Sequence, residues 1–598
     1  MLPIVSRPVE RLRAWLSSPR APTVIVLLAV LVGLPSLAGG LAVDDHWHKI
    51  MLTHDPAWTS LTTPWYELFT FYDGDPERTH RILDIGFSPW WTDPELRLAF
   101  FRPMSAATHA LDYALWPSHP CMMHAHSLAW FALLVAVAAW AYRRVLPGWA
   151  GNLAGLLFAL DHNHGIPVAW LANRNSLVAG AFAIASFGAH DVAARGKRSS
   201  IRWTLGSALL FALGLGSGES ALAVAGYFAA HAMFLDPRPW RTRLVSVVPH
   251  AGVVLLWAVV YRLGGFGAHG SGMYIEPSRA PLAFAGAVAK HLPMLAASEL
   301  GGLSPDLYSF MPLAVKAAFV VGALLFLAWS ATAVTRLWRA DPVARFLILG
   351  SVLAMLPACA TYPSPRLLVV PGFGLLGLVA LIGAGVAEGA SWVPTLGRSR
   401  TLARSFAIWS CGAHVVLSPL ALEVALQQLP LLSGALARLG ADLPLEPVPG
   451  RERIIIINTP DCVFAPYLFL GRIRGAPRMP ARILSLASGA RAMELRRTDE
   501  HTVVVRVDGG FYRSGTELAT RSESPMHVGD KLSFTGVTIE VLALAPDGVA
   551  TEASFRFAEP IDSDAYLWER WEGPELVAVK PPAVGEHVTI APQIARLF

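Results

Sequence analysis

Charged side chains are scarce in this chain of 598 residues: Asp, Glu, Lys and Arg make up 15% of it, against about 25% in soluble globular proteins. Cysteine is scarcer, with only Cys121, Cys359, Cys411 and Cys462, and no two of them stand in a CxxC pair. That spacing suggests neither a disulfide framework nor a zinc knuckle. No part of the chain is strongly basic either. The net charge of +5 divides into a small excess of positive charge before residue 451 and a small excess of negative charge after it, so nucleic acid is not an expected partner.

What is abundant is apolar: 54% of residues are hydrophobic. The charge deficit is confined to one part of the chain, since about 12% of residues 1–450 are charged against about 24% of residues 451–598. The first part needs a lipid bilayer as solvent, because uninterrupted apolar runs of about 18 residues or more are what a hydrocarbon core requires. The second has soluble composition. The expected fold class is therefore a multi-pass α-helical membrane protein with a C-terminal extracytoplasmic all-β domain. Its domains are expected over 1–440, with a long outward loop at 44–117, and over 441–598.

Apolar runs predict about eleven transmembrane helices, near 21–43, 122–142, 149–161, 175–194, 203–217, 219–235, 244–262, 311–335, 346–360, 367–387 and 404–428. Basic residues collect in alternate connections, at Arg143 and Arg144, Arg195 to Arg198, Arg238 to Arg243, Arg336 to Arg345 and Arg398 to Arg404, on the side of the N-terminal arginines. The positive-inside rule puts these in the cytoplasm and the C-terminal domain outside, and a bacterial inner membrane is the expected location. A signal peptide cleaved near Leu37 to Ala42 is the competing reading of the first run. Its length, and the spans that follow, favour an uncleaved helix.

Acidic residues instead crowd the first outward loop, between Asp44 and Asp112. That loop also holds Trp58, Trp65, Trp90 and Trp91 among turn signals such as Asp73-Gly74-Asp75-Pro76. Short interfacial helices with aromatic anchors are expected there. At its start Asp44 and Asp45 follow 23 residues without a charge. Adjacent carboxylates at a helix exit repel each other and lose hydration, which a proton, a metal or a substrate hydroxyl would offset; the alternative is that they are simply the first solvated residues. Other outward ends hold Asp161-His162-Asn163-His164, Asn173-Arg174-Asn175, Ser217-Gly218-Glu219 and Arg366. Carboxylates can act as a general base on a hydroxyl, histidine can bind phosphate, and arginine pairs with phosphate bidentately.

These segments stand in a telling order. Val43-Asp44-Asp45, Phe101-Arg102-Pro103-Met104 with Asp112-Tyr113, Leu160-Asp161-His162-Asn163-His164 with Val168-Ala169-Trp170 and Arg174, and Ser217-Gly218-Glu219 together resemble the membrane half of GT-C glycosyltransferases. The resemblance is greatest to the transmembrane O-mannosyltransferases that carry tetratricopeptide repeats, and more distant to the protein O-mannosyltransferases. It spans residues 20 to about 235, with Arg366 to Pro371 as a further match. The resemblance implies inverting transfer from a polyprenyl-phosphate sugar donor to a hydroxyl of a protein or glycan acceptor at the extracytoplasmic face of the bilayer. Asp44 would be the catalytic base and Asp45 its assistant; Arg102, Asp161, His162, His164, Arg174, Glu219 and Arg366 would bind substrate. The chain departs from the pattern at Gly218, where the family has Lys, and in lacking helical repeats. No cofactor is assigned, and a divalent metal is left open. A membrane transporter or flippase of lipid-linked sugars is the alternative function, and a non-catalytic anchor for the C-terminal domain a third.

In that domain Arg453–Asn458, Thr502–Val507, Lys531–Thr535, Val537–Val541 and Ala553–Phe557 are β-branched or alternating runs, with turns at Asp508-Gly509-Gly510 and Asp547-Gly548. A small antiparallel sandwich or barrel is expected, with no catalytic constellation of its own.

Overall fold

The computed structural model describes residues 7–53, 61–196, 201–306, 308, 311–441, 443–444, 450–460, 467–470, 482–512, 521, 524–573 and 575–593. Cys462 and Trp58 lie outside them. The helices run in chain order as α1 (Arg7–Leu16), α2 (Ala21–Gly33), α3 (Asp44–Thr53), α4 (Pro76–Ile85), α5 (Pro103–Leu115), α6 (Pro120–Val145), α7 (Ala150–Ala159), α8 (Gly165–Ala169), α9 (Arg174–Arg195), α10 (Ile201–Leu215), α11 (Val224–Phe234) and α12 (Trp240–Leu263). After them come α13 (Pro281–Glu299), α14 (Leu313–Ala340), α15 (Pro342–Met355), α16 (Gly372–Glu388), α17 (Arg398–Gly412), α18 (Ser418–Leu439) and α19 (Tyr467–Leu470). Two compact units emerge: residues 1–40, 101–264 and 275–429 form one, and 41–100, 265–274 and 430–598 the other.

The first unit is the multi-pass membrane part. All eleven expected apolar runs are helical. Among the described residues seven helical stretches are long and apolar enough to cross a bilayer by themselves, and α7, α10 and α16 are shorter apolar helices. Proline at the first helical position starts α5, α6, α13 and α15, where its missing N–H costs nothing. α7 is too short to span alone, and all ten of its residues are buried in the bundle, so its ends are lined by protein rather than lipid. By contrast only 6% of the most apolar window of α12 is buried, which leaves Leu255, Leu256 and Val259 exposed, as lipid-facing residues must be. Basic residues at the ends of α6 and α9 are also structural: Asp191, fully buried on α9, takes Arg144 at 2.7 Å and Arg195 at 2.5 Å. α13 was not expected from the sequence, because Lys290 and Glu299 break its apolar run.

Among the described residues the second unit contains three sheets. β1 (Thr70–Asp73), β2 (Arg97–Ala99) and β3 (Gly267–His269) form a small antiparallel one. The C-terminal strands are β4 (Arg453–Thr459), β5 (Arg482–Ser488), β6 (Met493–Arg497), β7 (Thr502–Val507), β8 (Lys531–Phe534), β9 (Val537–Leu544), β10 (Ala550–Phe557), β11 (Tyr566–Glu572), β12 (Glu575–Ala578) and β13 (His587–Ile590). Six of them make an antiparallel sheet in the order β13-β6-β7-β10-β9-β8, and four a second sheet in the order β12-β11-β4-β5. All five expected strands are present.

The expectation of a wholly antiparallel domain needs correction. β4 pairs in parallel with both β11 and β5. Every residue of β4 is buried, and its unbroken Ile454–Ile457 run is the pattern of a strand covered on both faces, not of one with a wet side.

A second correction concerns the first-loop tryptophans. Trp90 and Trp91 are not interfacial anchors: they are 2% and 0% exposed, in one core with Ile455, Leu486, Phe511 and Phe555. The Trp90 indole N–H donates to the Leu486 carbonyl at 3.2 Å, the partner a buried indole needs. Trp65 does remain exposed. α4 is fixed to the same core. Asp75 caps its start through the Glu77 N–H, and Gly86 ends it in the left-handed region at φ 90°. A Cβ on Gly86 would overlap the Ile483 carbonyl oxygen, so glycine is required there by conformation and by space.

Candidate functional site

Asp44 and Asp45 open α3 in the second unit, and the structure gives them different surroundings. Asp45 is 1% exposed, and its Oδ2 accepts the Ala42 N–H at 2.9 Å. It closes the turn that leads into the helix. Asp44 is only half-buried, and its Oδ1 accepts the Tyr467 hydroxyl at 3.2 Å. Burial, with Asp44 beside it, pushes the Tyr467 phenol well above its ordinary value, so the hydroxyl stays a donor. Val43, just before the pair, has φ 45° and is the only non-glycine residue with positive φ among the described residues. A β-branched side chain in that region is strained, and such strain clusters at functional sites. Farther along the helix, burial and the Lys49 charge pull the His46 imidazole down to about 4, leaving it neutral.

In the first unit, Asp161 sits between α7 and α8. Its carboxylate takes His162 Nδ1 at 3.3 Å and the Asn163 side-chain amide at 2.9 Å. Ser418 Oγ, at the start of α18, accepts the His162 backbone N–H at 2.8 Å. The π-helical turn Ala413–Leu417 between α17 and α18 presents Ser418 there, a use typical of such bulges near functional sites. The Asn163 amide also donates to Glu299, the last residue of α13, which is fully buried. Burial pushes the Asp161 carboxyl up, but the hydrogen bond and charge of His162, with His164 and His414 behind it, outweigh this and hold it low. Burial, reinforced by the Asp161 charge, pushes Glu299 well above the carboxylate range. Burial lowers His162, and the Asp161 hydrogen bond and charge, with Asp306, carry it above its ordinary value instead. His162 Nε2 is buried and has no hydrogen-bond partner among the described residues. His164 turns the other way, fully buried against Phe131 and Phe158.

The three arginines have different surroundings. Arg102 pairs with Glu219 at 2.7 Å, and the Tyr261 hydroxyl donates to the same carboxylate at 3.3 Å. Arg174, at the start of α9, is 0% exposed and bound to Asp112 at 2.5 Å, to Ser127 Oγ at 2.8 Å and to the Met123 carbonyl at 2.8 Å. Its charge is spent on tying α5, α6 and α9 together. Arg366 stands over the rings of Trp170 and Tyr362, 5.5 Å from each centroid, and donates to the Tyr362 hydroxyl at 2.5 Å. The turn His162–His164 packs against the turn Pro365–Leu368 that carries Arg366, which groups these two cations. Among the described residues no set of three or more His, Cys, Asp or Glu side chains gathers as a metal site.

The structure thus brings Asp161 and His162 together with Arg366, pairs Arg102 with Glu219, and turns Arg174 inward. Sequence reasoning missed Tyr467, Ser418, Asp306 and Glu299. Only Glu299 left a signal, as a lone carboxylate in the apolar stretch that ends α13.

No protein-family model and no curated protein matches the chain. Solved structures with some likeness include ArnT from Cupriavidus metallidurans bound to undecaprenyl phosphate, at 14% identity and TM-score 0.38 over 77% of this chain and 85% of that one. Another is the Archaeoglobus fulgidus oligosaccharyltransferase in complex with Zn and sulfate, at 12% identity and TM-score 0.43 over 78% of this chain and 62% of that one. At these scores no residue role carries across.

Proposed function

We propose that the chain is an integral-membrane glycosyltransferase, transferring a sugar with inversion from a polyprenyl-phosphate donor to a hydroxyl of a protein or glycan on the extracytoplasmic face. The observation that carries this reading is the presentation of Asp44: half-exposed, oriented by the Tyr467 hydroxyl and preceded by the strained Val43. A carboxylate placed so can take the proton of an acceptor hydroxyl as the oxygen attacks the anomeric carbon. The leaving group is a lipid phosphate, which needs cationic stabilisation rather than an acid. Arg366, held over the Trp170 and Tyr362 rings, and His162, whose Nε2 has no hydrogen-bond partner among the described residues, are the cations suited to it. Asp45 and Arg174 then hold the structure. In this reading the protein sits in a bacterial inner membrane, and the positive-inside pattern of its connections supports a cytoplasmic N-terminus.

The decisive experiment offers the purified protein a panel of radiolabelled polyprenyl-phosphate sugars with acceptor peptides and glycans. Consumption of one donor with product formation is expected; flux of intact lipid-linked sugar across reconstituted vesicles, with no transfer, would favour a flippase. Two variants test the assignment within it. Tyr467→Phe removes one hydrogen bond to Asp44 and is expected to slow transfer by about 3- to 10-fold, read from single-turnover rates. Arg366→Ala is expected to raise the donor KM by about 10- to 100-fold, the effect of losing a charge-assisted hydrogen bond. An unchanged donor KM would remove Arg366 from the phosphate site.

A further inference from the structure

One amide nitrogen, Asn163 Nδ2, donates both to Asp161 Oδ2 at 2.9 Å and to Glu299 Oε2. Two acceptors sharing one nitrogen lie about 5 Å apart, and both carboxyl groups are buried, at 2% and 0% exposure. Two full negative charges that close in an apolar interior cannot both persist. The surroundings are unequal. Asp161 also takes His162 Nδ1 and caps the turn at Asn163. Glu299 receives the Asn163 amide, while its Oε1 is buried with no hydrogen-bond partner among the described residues. That oxygen fits against Gly372, the first residue of α16, where any Cβ would overlap it. An ionised carboxylate with one bare oxygen carries a large desolvation cost, which protonation removes.

We propose that Asp161 and Glu299, joined through Asn163, hold one proton between them, on Glu299, and that the single remaining negative charge keeps His162 a cation whose Nε2–H is offered to a phosphate anion. The part concerning phosphate rests on the polyprenyl-phosphate reading above; the shared proton does not. The groups that face this set are His164 beside it in the chain, His414 on the π-helical turn, Asp306 on the loop after α13, and the phenols Tyr142 on α6 and Tyr227 on α11. Among the described residues His162 is the cation in ion-pair contact with Asp161, at 3.3 Å. Glu299 acts through its neighbours and is a positioning residue.

The sign of the pH dependence follows. A His162 value raised by Asp161 means that the cation, and with it phosphate affinity, is present at and below the ordinary imidazole value and is lost as pH rises through the raised one. Two measurements on the full-length protein in detergent test this. Infrared spectroscopy at neutral pH is expected to show the carbonyl stretch of a buried protonated carboxylic acid, absent in Glu299→Gln. A wild-type spectrum without that band overturns the shared proton. Binding of undecaprenyl phosphate is expected to weaken by about tenfold as pH rises through the His162 value. In Asp161→Asn that loss should begin at lower pH, and in His162→Gln binding should be weak and flat. A pH profile unchanged by Asp161→Asn or by His162→Gln overturns the His162 role. The expected band together with no binding of undecaprenyl phosphate at any pH leaves the shared proton standing and overturns the polyprenyl-phosphate reading alone.

Discussion

Asp44→Asn is expected to lower sugar transfer by about 10²- to 10⁴-fold, the range over which a positioned general base contributes. The substitution is nearly isosteric. Its amide oxygen can still accept the Tyr467 hydroxyl that now meets Oδ1, and Asp45 still closes the turn through Ala42. Membrane insertion and thermal unfolding should therefore match the wild type while the single-turnover rate collapses. Asp45→Asn should behave differently, with its main effect on folding yield, because Asp45 is buried and serves a backbone N–H. Full transfer activity in Asp44→Asn, with the wild-type dependence on acceptor concentration, would sink the assignment of the base and leave the strained Val43 without a catalytic reason.

The second large effect is on stability. Asp84, at the end of α4, receives Arg453 Nη2 at 3.1 Å, Arg482 Nε at 2.9 Å, and both the N–H and the hydroxyl of Thr535 at 2.8 Å. It is the electrostatic clamp between the first-loop helix and strands β4 and β5 of the same unit. Arg453 is only 2% exposed, so Asp84→Ala strands a buried guanidinium, a change that costs about 3–5 kcal/mol when one partner of a buried pair is removed. Near-ultraviolet circular dichroism on heating should report a lower transition for the variant. Burial alone would raise the Asp84 carboxyl; the two Thr535 bonds and the Arg453 charge reverse that and hold it below the ordinary value of 3.8. A depressed value means the stabilisation is present above pH 3.8 and is lost as pH falls through the folded-state value. The gap between wild type and variant should accordingly close in strong acid. A gap that stays constant from neutral pH into acid would show that packing of α4, not the clamp, carries the difference.

Much of this protein was legible in its sequence. Each of the eleven apolar runs carries helix, though α13 escaped them, and the β-branched runs located five strands, because both signals are local: a bilayer or a sheet face is read from the period of one segment at a time. The conspicuousness of Asp44 and Asp45 was local too, two carboxylates directly after an uncharged run. The division of labour between them was not. It depends on Tyr467, more than 400 residues away in sequence, as the electrostatics of His162 depend on Glu299 and Ser418.

The sequence by itself determined where the chain is apolar, where it turns, and which polar residues stand at helix ends. Only the tertiary structure decided which of those residues are already satisfied. Arg174 and Arg366 look alike as isolated cations, yet Arg174 is enclosed by Asp112, Ser127 and a carbonyl whereas Arg366 lies between aromatic rings. Trp90 and Trp91 look like membrane anchors until the C-terminal strands that bury them are in place. The physical reason is the same in each case. The free energy of a polar or aromatic side chain is set by the partners that replace its water, and those partners are brought from distant positions by the fold.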